Sequence, residues 1–158
     1  MRFKLLSMFA ALLLLGACET ASTSGDASGS GSSSTAGQPV PGSQEDLVVN
    51  VGDRVFFGFD EYTLTSEAQS TLDRVAAWMQ SNPSVTVSVE GHADERGTRE
   101  YNLALAERRA NAAMNYVAAL GVSPDRMRTV SYGEERPAVI GSNEQSWAQN
   151  RRAVFVVN

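Results

Sequence analysis

The chain has 158 residues and a formal net charge of −5, from 18 Asp and Glu against 13 Lys and Arg. That balance argues against a general nucleic-acid binder, which would carry a basic face. A single cysteine excludes any disulfide within the chain.

Residues 1–17 read as an export signal. Arg2 and Lys4 give a positive start, Leu5 to Leu15 an apolar run, and Gly16 and Ala17 small residues before Cys18. The run of about 11 residues is shorter than the roughly 20 that span a bilayer as a helix. The Leu15-Gly16-Ala17-Cys18 stretch resembles a bacterial lipobox, whose cysteine becomes the acylated first residue. Cys18 is therefore the expected site of a covalent lipid (N-acyl and S-diacylglycerol), and two or more acyl chains suffice for stable anchoring. The competing reading is an ordinary signal cleaved nearby, with Cys18 a stray thiol.

Residues 18–46 are rich in Ser, Gly, Thr and Ala, include Pro39 and Pro41, and have almost no large apolar side chain. Such a segment cannot build a core and is expected to be a flexible tether. About 28 residues of this kind span roughly 30 Å root-mean-square and about 95 Å when extended.

The rest, residues 47–158, is enough for one core and one domain. Val55-Phe56-Phe57 reads as a short strand that delivers Phe59 and Asp60 to its end. Ala68, Leu72, Val75, Ala76 and Met79 recur at helical spacing after Thr65 or Ser66, and Ser66 with Gln69 fits a capping box. Asn82-Pro83 stops that helix. Val85, Val87 and Val89 then alternate with polar residues, the pattern of a half-buried strand that ends at the His92–Asp94 loop. Thr98 is placed to cap a second helix, running to about Leu120 before Gly121, with Glu100 in its first turn. A third strand is expected over Met127 to Tyr132, a short helix or loop over Asn143 to Asn150, and a last strand over Arg152 to Val157. The predicted order is β-α-β-α-β-(α)-β: an α/β fold with a mixed four-stranded sheet backed by helices.

Within the second helix, Asn102, Leu105, Ala106 and Arg109 fall on one stripe, so an arginine interrupts a core-facing row. A buried guanidinium needs a partner, either a protein acid or a ligand anion. Asp94, in the preceding loop, is a candidate for the same pocket. An acid and several guanidiniums at one fold edge suit a zwitterion, the forked guanidinium holding a carboxylate and the acid an ammonium. An internal Asp94–Arg109 salt bridge explains the same residues equally well. Arg108 lies off the stripe and reads as a surface charge. Arg151 and Arg152 either shape the anion side of the pocket or are solvated strand residues. His92 is the only histidine, and a loop histidine with a backbone hydrogen bond is the common case; no zinc ligand set accompanies it. Glu90, Asp94 and Glu95 could imitate paired glycosidase carboxylates, but no serine or cysteine nucleophile motif supports an enzyme.

The segment Gly91-His92-Ala93-Asp94-Glu95-Arg96-Gly97-Thr98, followed by Asn102, Leu105, Arg109 and Ala110, resembles the OmpA-like peptidoglycan-binding domains, in particular their lipid-anchored branch. The likeness runs from about Val55 to the C-terminus and includes Phe59-Asp60, Val130-Ser131-Tyr132-Gly133, Arg136-Pro137-Ala138-Val139 and Asn150-Arg151-Arg152-Ala153-Val154. It implies an α/β sandwich and a non-enzymatic, cofactor-free protein that holds the diaminopimelate of peptidoglycan stems, with Asp94 on the ammonium and Arg109 on the carboxylate. It also implies that Phe59, Asp60, Arg96, Thr98, Asn102 and Leu105 surround the ligand. It further implies TolB, a periplasmic propeller protein, as a partner on the same face. Glu19, where an aspartate in Gram-negative relatives favours inner-membrane retention, implies sorting to the outer membrane with the domain facing the periplasm. A motor-stator relative would need a retained transmembrane helix.

Overall fold

The computed structural model describes residues 38–158. The expected signal, Cys18 and most of the tether lie outside the described residues.

The folded unit takes in residues that composition placed in the tether. Ser43 caps a short helix, α1 (Gln44–Asp46), which continues as a π-helical stretch, Leu47–Val51. Side chains hold it there: Gln44 Nε2 donates to the Phe155 carbonyl, Gln44 Oε1 accepts from Val157 N–H, and Asp46 Oδ2 accepts from Trp78 Nε1 at 2.8 Å. Polar residues dock here by hydrogen bonding, which an apolar-pattern reading does not detect.

The elements that follow are β1 (Arg54–Phe56), α2 (Ser66–Ser81), β2 (Val87–Gly91), α3 (Arg99–Ala119), a 3-10 turn at Pro124–Arg126, β3 (Met127–Ser131), α4 (Glu144–Asn150) and β4 (Arg152–Val157). The sheet order is β1-β4-β2-β3. β2 and β3 pair in parallel through the α3 crossover, and β4 pairs antiparallel with both β1 and β2. The mixed four-stranded sheet and its helices are as expected. Thr65, not Ser66, caps α2, its Oγ1 accepting from Ala68 N–H. The Ser66–Gln69 capping box does not form, because the Gln69 amide turns to the Leu64 carbonyl.

α3 packs on β2, β3 and β4, while α2 packs on β1 and α3. The α3 stripe continues beyond Arg109 through Ala110, Ala113 and Val117, all buried. Small residues let the helix lie close to the sheet. At Gly91 the approach is so close that a Cβ would overlap the Ala106 carbonyl, so β2 must end in glycine where it meets α3. Ser88, expected on the open side of β2, is buried instead. β2 lies inside the sheet, and Ser88 Oγ donates to Asn158 Oδ1 and accepts from Arg128 Nε. Among the described residues, no helix is long and apolar enough to cross a membrane.

Candidate functional site

Three segments converge at one end of the sheet: the turn after β1, the loop after β2, and the first half of α3. They line a cavity of about 180 Å³ that includes Phe59, Asp60, Asp94, Arg96, Asn102, Leu105 and Arg109. Seven of the eight residues singled out from the sequence therefore meet. Thr98, the eighth, is absent from the lining; it caps α3, its Oγ1 accepting from Tyr101 N–H. Ala93, Gly97 and Tyr101 also line the cavity.

Among the described residues, Arg109 is the largest fully buried side chain. Among these residues its guanidinium makes no ion pair. Nε donates to the Glu61 carbonyl at 2.8 Å, Nη1 to that of His92 at 2.9 Å and Nη2 to that of Gly58 at 3.1 Å. Three donors of the five are thus used to sew α3 to the two loops, and one N–H on each terminal nitrogen is left over. Burial pulls the Arg109 pKa down to about 10, against the supporting charge of Asp94. The group remains a cation at neutral pH.

Asp94 is also buried, but its partners are Arg96 and Arg151. Oδ1 accepts from the Arg96 backbone N–H and from Arg96 Nε; Oδ2 accepts from Arg96 Nη2 at 2.7 Å and from Arg151 Nη1 at 3.2 Å. These contacts occupy about all four lone-pair positions of a carboxylate. Burial alone would raise the Asp94 pKa, but the hydrogen bonds from Arg96 and Arg151 outweigh it and hold the carboxyl below its ordinary value. The internal bridge considered from the sequence, Asp94 with Arg109, is replaced by Asp94 with Arg96 and Arg151.

Arg151 and Arg152 are buried and not solvated. Arg151, just after α4, also donates to the Phe57 carbonyl and to Glu144 Oε1. Arg152 donates to the Asn150 and Arg136 carbonyls. Arg108 is exposed, as expected. Arg96 lies over two rings, its guanidinium 4.0 Å from the Phe59 ring centre and 4.1 Å from that of Trp147. Asn102 Nδ2 donates to the Asp94 carbonyl at 3.1 Å, which ties the loop to the helix.

Asp60 is the one non-glycine residue with positive φ among those described, at 57°. A left-handed backbone at an exposed aspartate is a cost that persists where the surroundings enforce it. Tyr101 Oη donates to Asp60 Oδ1, and among the described residues no donor reaches Oδ2. Tyr101 escaped the sequence reading because it is an exposed residue adjacent to the stripe. Trp147 and Glu144 escaped it because α4 has no periodic apolar signal.

His92 departs from expectation. It is buried, and among the described residues neither ring nitrogen has a partner in hydrogen-bond geometry; Nε2 lies 3.8 Å from Glu90 Oε2, and the Arg136 backbone gives only a weak opposing contact. Burial, reinforced by the charges of Arg152 and Arg136, pulls its pKa down to about 4, so the ring is neutral at pH 7. Among the described residues, no three His, Cys, Asp or Glu side chains gather as a metal site.

The OmpA family profile matches residues 56–151, which includes the whole cavity lining. The chain belongs to the OmpA family. A peptidoglycan-associated lipoprotein of Brucella melitensis is 53% identical over 123 residues, covering 78% of this chain and 73% of the relative. One from Rhizobium meliloti is 47% identical over 153 residues, covering 97% of this chain and 86% of the relative. Among solved structures, the peptidoglycan-associated lipoprotein of Burkholderia pseudomallei superposes with a TM-score of 0.65 at 42% identity, covering 67% of this chain and 90% of the other. The C-terminal domain of Helicobacter pylori MotB gives a TM-score of 0.63 at 21% identity, covering 67% and 84%, and shares the fold. The sequence resemblance and the family agree.

Proposed function

We propose that this chain is a lipid-anchored envelope protein that grips peptidoglycan without covalent bonds, by the free zwitterionic end of a stem-peptide diaminopimelate. The observation that carries this reading is the pairing, in one small cavity, of a buried guanidinium with spare N–H groups and a carboxylate with an unused oxygen. At about 180 Å³ the cavity is smaller than the roughly 300–1,000 Å³ of drug-sized pockets. It suits the tip of an amino-acid side chain better than a glycan.

Arg109 is the carboxylate partner. The sequence pointed to Asp94 for the ammonium, but the full set of donors on Asp94 favours Asp60 Oδ2 as the acceptor, with Asp94 fixing Arg96 and Arg151. A depressed, fully bonded Asp94 is also a poor general acid, which supports binding without catalysis. The names of the relatives support the same reading. Cys18 then carries the lipid, the chain between Cys18 and α1 supplies the reach, and the protein joins the outer membrane to the wall within a Tol-Pal system, with TolB as a partner on the same face.

The test is co-sedimentation with purified peptidoglycan, competed by a soluble stem peptide carrying diaminopimelate or by the same peptide with lysine in its place, whose free side-chain end bears an ammonium but no carboxylate. The diaminopimelate peptide should displace the protein and the lysine peptide should not; Asp60→Asn should weaken binding more than tenfold. Equal competition by the lysine peptide would reject recognition of both charges.

A further inference from the structure

Trp147 lies in α4, outside the cavity lining, and no hydrophobic periodicity announces it. Its half-buried ring nevertheless packs against Arg96. The Arg96 guanidinium lies over both the Phe59 and the Trp147 rings, with 4.0 Å and 4.1 Å from the guanidinium carbon to the ring centres. Phe59 is 59% exposed, so it gives Arg96 an open wall on the cavity side. Trp147 is held from behind: its Nε1 donates to Glu95 Oε1 at 3.1 Å, and Glu95 precedes Arg96 in the same loop.

Other contacts from α4 point the same way. Glu144, in its first turn, accepts from Arg151 Nη2 at 2.6 Å and lies 3.8 Å from Arg96 Nη1. Arg151, at its C-terminal cap, reaches Asp94. One short helix thus touches Arg96 through a ring and a carboxylate, and Asp94 through a guanidinium. An arginine side chain has many rotamers, and its freezing costs affinity when it occurs on binding. A cation held against two π faces is pinned before any ligand arrives.

We propose that Trp147 is a positioning residue of the pocket, acting through Arg96: together with Phe59 it clamps the guanidinium and so presets the Asp94–Arg96 fork at the cavity mouth. This rests on the peptidoglycan reading above. The ring itself does not touch the ligand.

The experiment compares Trp147→Leu and Trp147→Phe in the full lipid-free domain by affinity for purified peptidoglycan, thermal unfolding and the ¹⁵N-resolved Nε–H signal of Arg96. Trp147→Leu should weaken binding about fivefold, the loss of one cation–π contact. It should also move the Arg96 Nε–H signal away from its ring-shifted position and speed its exchange with water. Trp147→Phe should keep the affinity within about twofold and keep the signal protected, because a π face remains. Parent-like binding by Trp147→Leu, equal losses in both variants, or a loss with the Arg96 signal unmoved would each overturn the proposal. If Trp147→Leu does not fold, Trp147→Met, with an adaptable unbranched chain, takes its place. Arg109→Met separates the two levels. Undiminished binding by Arg109→Met rejects the pocket itself, whereas abolished binding there beside parent-like Trp147→Leu rejects the clamp alone.

Discussion

Replacing Arg109 by methionine removes the cation but keeps most of the volume, and the structure sets the expected cost. Three N–H groups donate to the carbonyls of Gly58, Glu61 and His92. Hydrogen bonds from a charged donor contribute about 2 kcal/mol each, so about 6 kcal/mol is lost. Burial of the charge, seen in a pKa drawn from 12.5 down to about 10, costs the parent about 3 kcal/mol, which methionine recovers. The net destabilisation is therefore about 3 kcal/mol, or a melting temperature lower by roughly 10–20 °C for a domain of this size. Chemical denaturation gives the first number, and peptidoglycan co-sedimentation at 15 °C, where the variant remains folded, gives its binding. Loss of both stability and binding means that Arg109 holds the loops and also serves the ligand. An unchanged denaturation midpoint would refute the worth assigned to the carbonyl bonds, and parent-like binding by the folded variant would remove Arg109 from the site.

The remaining predictions concern protons, the lipid and the partner. His92 titrates at about 4 in the fold against 6.5 when free, so the unfolded chain binds the extra proton between those values. Its contribution is fully present above pH 6.5 and fades as pH falls towards 4; it is worth about 3 kcal/mol, and His92→Leu should flatten the stability curve across that window. An unaltered slope in urea titrations at several pH values would assign the dependence to other groups. Cys18→Ser should leave the protein soluble or as unprocessed precursor on fractionation, and normal outer-membrane attachment would contradict lipidation there. A soluble diaminopimelate-containing peptide should weaken TolB binding, since one charged pocket cannot serve two partners and linkage is reciprocal; TolB affinity unchanged at saturating peptide would mean separate sites.

Local pattern alone was enough for the elements that face a core. The α2 and α3 stripes, the valine-rich last strand and the stop at Asn82-Pro83 follow from side-chain period and backbone chemistry. So does the anomaly of Arg109, because a charge at a core offset is visible as a break in a period. Spacing also brought Asp94 and Asn102 into view, one in the loop and one on the stripe. Which acid meets which base could not be read from it. Asp94 turns to Arg151, which is 57 residues away in the chain, and that contact exists only because the return of β4 between β1 and β2 carries the end of α4 to the β2 loop. The same return puts Trp147 over Arg96. Helical and strand periods report the burial of a face within one segment; the partner of a buried charge is set by which strand ends the sheet brings together, and that is a property of the tertiary fold.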